Sequence, residues 1–132
     1  MTERRNSTPT ASRVTRIALP PFDTGQYEDS EFLMFGGDAL LSIHVQGLLP
    51  LKIAFFRVRW HQFTALYNCT PEQIEGTYFA LAEIAPSPSL DAFVANDRAP
   101  SKAYRELHHY RIFLDETGCH EVYAESVELA RG

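Results

Sequence analysis

Residues 51–63, LKIAFFRVRWHQF, contain neither Gly nor Pro and are crowded with aromatic and β-branched side chains. Their apolar positions do not recur at helical spacing. Instead Phe56, Val58 and Trp60 alternate with Arg57, Arg59 and His61, the period of two that a pleated strand requires. Residues 51–55 are apolar at nearly every position, which predicts a strand covered on both sides in the middle of a sheet or sandwich. Upstream, Ala39, Leu41, Ile43 and Val45 alternate with Leu40, Ser42, His44 and Gln46. With residues 47–50 as the turn, Gln46 pairs with Leu51, Leu41 faces Phe56 and Ala39 faces Val58. Asp38 then opposes Arg59, so one register satisfies both the apolar layer and the charges.

A second hairpin is expected at the end of the chain, where residues 107–115 and 119–129 flank Glu116, Thr117 and Gly118, a three-residue loop with Gly placed for positive φ. Pairing Asp115 with Cys119 sets Ile112 opposite Val122 and Tyr110 opposite Ala124. On the other face His109 meets Glu125 and Arg111 meets Tyr123, with Glu121 and Glu125 diagonal to Arg111. One face reads as core and the other as a charge lattice.

Between the hairpins, Thr70 is an N-cap, Pro71 suits the first helical position, Gln73 completes a capping box and Gly76 closes the turn. Residues 77–84 read as an interior strand ended by Pro86 and Pro88. Ser89 caps a short helix with Leu90, Phe93 and Val94 on one side, followed by turn-rich residues 96–102. A connection as long as residues 85–106 commonly forms a lid or binding loop, which makes Tyr104, Arg105 and Glu106 candidates for contact. Earlier, residues 13–19 alternate weakly as an edge strand, and residues 31–35 form a short apolar run ended by Gly36 and Gly37.

The chain of 132 residues fits one domain with its own core. The expected fold is all-β with minor α content: roughly six to eight mainly antiparallel strands in a sandwich or partly open barrel. Short helices lie at residues 71–75 and near 90–95. Residues 1–16, rich in Ser, Thr and Arg, form a disordered basic tail, and residues 17–132 the single β-rich domain. The tail is similar in composition to a transit peptide, but Pro9 and the lack of an apolar face argue against one. There is no apolar run long enough to span a membrane and no secretory-type leader, so the expected compartment is the cytoplasm, with Cys69 and Cys119 reduced. A disulfide between these two stays open from sequence.

The first sixteen residues hold Arg4, Arg5, Arg13 and Arg16 against Glu3, whereas the remaining 116 hold eight Lys and Arg against sixteen Asp and Glu. An acidic body argues against nucleic acid, which needs a basic face, and leaves a basic protein as partner. Self-association through an edge strand is the other expectation.

Catalytic motifs are sparse. The triplet Asp23, Thr24 and Gly25 resembles that of aspartic proteases, but Pro20 and Pro21 precede it and Gln26, Tyr27, Glu28 and Asp29 follow, so it reads as a turn. His108 and His109 point to opposite faces of a strand, as do Cys119 and His120, so neither pair grips a metal; a site assembled from different strands, such as His44 with His61, stays open. Cys69 with His61 lacks a group to orient the base. Arg57, Arg59 and His61 share a face and read as internal polar pairing. No catalytic residue, metal or cofactor is assigned. Binding candidates are Tyr104, Arg105, His109, Arg111, Glu121, Tyr123 and Glu125. The expected function is a non-enzymatic interaction module, of inhibitor, immunity or assembly-factor type, offering an acidic face or sheet edge to a protein. The alternative is a small-molecule-binding barrel, or an enzyme with residues 85–106 as lid, and it requires a concave pocket beside His109, Arg111 and Glu125 or the Tyr104 region.

Overall fold

The long apolar stretch is not one strand but two, folded at Arg57. In the computed structural model, which describes residues 13–98 and 106–131, β4 (Leu51–Phe56) lies in one sheet and β5 (Trp60–Ala65) in the other. Arg57 makes the turn with φ of 57°, a left-handed conformation uncommon outside Gly, Asn and Asp. The ribbon paired with it bends at the same place: β8 (Gly118–Ala124) pairs with β5, and after Glu125 the chain continues as β9 (Ser126–Arg131), which pairs with β4. The two halves of the ribbon differ in register by one residue, since Phe56 opposes Ser126 while Trp60 opposes Tyr123. That extra residue is the bulge that lets paired strands turn a corner.

The remaining strands are β1 (Arg13–Ile17), β2 (Tyr27–Phe35), β3 (Asp38–Val45), β6 (Leu81–Ala85) and β7 (His108–Leu114), with α1 (Pro71–Ile74) and α2 (Pro88–Asn96) between them. They assemble as a five-stranded sheet, β1-β6-β7-β8-β5, and a four-stranded sheet, β2-β3-β4-β9, with every named strand pair antiparallel. This is a sandwich, not a closed barrel, and among the described residues it has nine strands, more than the sequence suggested. No helix of the described residues is long and apolar enough to cross a membrane.

The core lies between the sheets. Leu41, Ile43, Leu51, Ile53 and Phe55 from one sheet meet Leu81, Tyr110, Ile112, Leu114 and Val122 from the other, all buried. Burying each such side chain contributes about 1.5–3 kcal/mol, and the alternation that does so turns their neighbours outward.

Several expectations are corrected. The β3–β4 ladder pairs Leu41 with Ile53 and Ala39 with Phe55, three residues from the expected register. An odd slip exchanges faces, so Phe56 points out of the sandwich. Asp38 accepts the Arg57 backbone N–H at 2.9 Å, and Arg59 pairs with Asp97 at 3.0 Å. The corner also divides Arg57 and Arg59 from His61, which faces inward opposite Val122 while Trp60 faces outward opposite Tyr123. Strand character begins at Arg13, inside the expected tail, because β1 pairs with β6. Residues 77–80 turn rather than extend, with φ of 47° at Phe79, leaving β6 as a shorter strand than expected. Residues 22–25 form the expected turn, Asp23 accepting the Gly25 N–H at 2.9 Å.

Candidate functional site

The terminal hairpin keeps a three-residue loop but turns one residue earlier than expected, which moves the register by two and pairs Leu114 with Gly118, Arg111 with Glu121 and His109 with Tyr123. Gly118 is required there: its φ is +145° and a Cβ would collide with the Thr64 carbonyl and the Phe63 ring. Because the slip is even, the faces are kept. His109, Arg111, Glu121 and Tyr123 therefore share the outer face of the five-stranded sheet, as expected. Glu125 does not join them; it sits at the corner and pairs with Arg57 at 3.3 Å. Tyr104 and Arg105 lie outside the described residues, and Glu106 is exposed just before β7.

The lattice is buried rather than exposed. His109 is 3% and Glu121 8% accessible, because α1 and α2 both pack on this face. Each helix starts with the same device. Thr70 caps α1 in a full capping box with Gln73, and Ser87 caps α2 by accepting the Leu90 N–H at 3.1 Å, with Pro71 and Pro88 at the first helical positions. The α2 cap is thus Ser87, not Ser89.

These caps feed one hydrogen-bond network. Glu121 Oε1 accepts from His109 Nε2 at 2.7 Å and Arg111 Nε at 3.0 Å, and Oε2 accepts from Gln73 Nε2 at 3.0 Å. Burial alone would raise the Glu121 pKa, but the bonds from His109 and Gln73 and the charge of Arg111 outweigh it and bring it down to about 2. The ionised carboxylate can only accept, so Nε2 of His109 carries a proton. In the neutral ring Nδ1 then accepts from the Ser87 hydroxyl at 2.7 Å. With its proton committed, Ser87 accepts from Ser89 Oγ at 3.3 Å, and Ser89 accepts from the Tyr123 phenol at 2.8 Å.

A serine, a histidine and a carboxylate in sequence invite comparison with a nucleophilic triad. Two features oppose it. The residue after Ser87 is Pro88, which has no N–H to stabilise an oxyanion, and the Ser87 hydroxyl is already engaged as the α2 cap. Cys69 is no better placed, since burial raises its pKa and its thiol donates to the Thr64 carbonyl at 3.3 Å. Cys69 and Cys119 are both free thiols. His61 sits 3.3 Å from His120 and stacks on Phe32 at 3.8 Å, and no group of three or more metal-ligating side chains occurs among the described residues.

Above the network lies a cleft of about 770 Å³. Its walls are β1 with Val14 and Arg16, the α1 end with Glu72 and Glu75, and the start of α2 with Ser87 and Ser89; its floor is Ile84, His109 and Arg111. Arg111 Nη1 also bonds the Glu72 carbonyl at 3.3 Å, tying floor to wall. A second hollow of about 450 Å³ adjoins it on the β5 side and shares Glu72, Ser89, His109 and Arg111. Sequence reasoning missed Arg16, Glu72, Glu75, Gln73 and Ser87, which come from separate elements. Gln73 was legible as the capping-box partner of Thr70 though not as a site residue, and Ser87 carries the same hydroxyl-then-proline pair that marked Thr70 and Pro71.

No family model, curated protein or solved structure matches this chain.

Proposed function

We propose that the protein binds a small dipolar molecule in the cleft on the outer face of its five-stranded sheet, without turning it over. The observation that carries this reading is a cleft of about 770 Å³, within the roughly 300–1,000 Å³ of small-molecule sites, over a floor of buried polar groups held rigid by one another. Charge is divided across it: Arg16 and Arg111 lie on the β1 and β7 side, and Glu72 and Glu75 on the α1 wall. A ligand bearing an acidic group at one end and an amine at the other, as in an amino acid or short peptide, matches both. Binding without chemistry is favoured because Pro88 follows Ser87 and leaves no N–H there to stabilise an oxyanion.

Calorimetric titration with free amino acids and dipeptides, set against acetate and methylamine, tests this. Dipolar compounds should bind and the single-charge fragments should not. Arg16→Ala and Glu75→Ala, at exposed positions, should each weaken binding about tenfold with the melting temperature unchanged. Equal binding of the fragments, or affinity insensitive to both substitutions, would sink the proposal.

A further inference from the structure

Both helices pack on the five-stranded sheet, so the outer face of the four-stranded sheet carries no helix among the described residues. Its composition follows from register. Leu33 lies across from Leu40, which lies across from Ala54; in the next row Phe35 opposes Asp38, beside Phe56. Leu33 is 46% and Phe35 58% accessible. Grouped apolar exposure of this kind marks an interaction surface. Acids border it: Asp29 and Glu31 further along β2, Asp38 between the phenylalanines, and Glu128 on β9 across from Ala54. The main base on the same face is Lys52, opposite Ser42.

The patch ends on β2, an edge strand of nine residues that no other described strand flanks on its outer side. Native proteins blunt such edges; here the outward positions run Asp29, Glu31, Leu33, Phe35, acidic at one end and apolar at the other. We infer that β2 accepts a strand from a partner polypeptide whose outward side chains are basic opposite Asp29 and Glu31 and apolar opposite Leu33 and Phe35. Main-chain pairing supplies affinity and the alternate side chains supply selectivity. A second copy fits poorly. Antiparallel pairing of the whole of β2 with itself sets Glu31 against Glu31 and Asp29 against Leu33, which like-charge repulsion and mismatched polarity disfavour.

The probe is a synthetic peptide with Leu at alternate positions of its first half and Lys at alternate positions of its second, the order that antiparallel pairing with β2 requires, followed by fluorescence anisotropy. The full chain should bind it. Exchanging Lys for Glu in the peptide, or Glu31→Lys in the protein, should weaken binding about tenfold. Methylating alternate backbone amides of the peptide, or combining Leu33→Ser with Phe35→Ser, should abolish it. The substituted side chains are solvent-facing, so circular dichroism and melting should stay as in the parent. Absence of binding by the lysine peptide, indifference to its charge, or full binding by the methylated form would each overturn the inference. So would sedimentation of the parent as a dimer that Leu33→Ser with Phe35→Ser dissociates, which would assign the patch to a second copy.

Discussion

Removing the Glu121 carboxylate should be among the most damaging single changes in the molecule. It is the shared acceptor for His109, Arg111 and Gln73, and with it gone the Arg111 charge, whose side chain is only 11% accessible, is left buried without its counter-ion. Breaking a buried pair in this way costs about 3–5 kcal/mol, so Glu121→Ala should lower the denaturant midpoint sharply. Glu121→Gln, which keeps one acceptor oxygen, should cost less. At this scale the sequence was informative about which residues share a face. The alternation through His109, Arg111, Glu121 and Tyr123 put them together correctly, even though their opposite numbers were misjudged. It could not reveal that they are buried, because that depends on helices arriving from elsewhere in the chain.

Helix α1 is a single turn, and a turn this short has little intrinsic stability. Its capping box holds it, with Thr70 accepting from the Gln73 N–H at 3.2 Å and the Gln73 side chain accepting from the Thr70 N–H at 2.9 Å. Thr70→Ala should therefore lower stability by about 1 kcal/mol, read as a drop in melting temperature. It should also loosen Gln73 from Glu121, visible as a change in the nuclear magnetic resonance signals of His109. The two hairpins show why strands were legible and registers were not. The terminal hairpin slipped by an even step and kept its faces, whereas the β3–β4 pair slipped by an odd step and exchanged them. In the second case the alternation had been read from residues 56–61, across a corner at Arg57 where the sequence pattern continues but the strand does not.

For the whole molecule, acid stability should fall in two stages. Burial, with a smaller contribution from neighbouring His61, lowers the His120 pKa from its ordinary 6.5 to about 4. The folded ring stays neutral where the unfolded one takes up a proton, so this stabilising contribution is complete above pH 6.5 and is lost progressively toward pH 4. Glu121 acts lower. Its depressed pKa favours the folded state above the ordinary carboxylate value, near 4.5, and that contribution disappears as pH falls toward 2. Urea unfolding at a series of pH values should show both stages. His120→Phe should flatten the upper one, and a stability flat from pH 6.5 to 4 in the parent would contradict the assignment.

The folded ribbon has a mechanical corollary. Two continuous backbones, one passing Arg57 and the other Glu125, stitch the sheets together, and the Glu125 N–H donates to the Phe56 carbonyl at 2.9 Å across the seam. Neither layer can peel away by itself, so amide exchange in β4 and β5 should proceed at matched slow rates, as one cooperative unit.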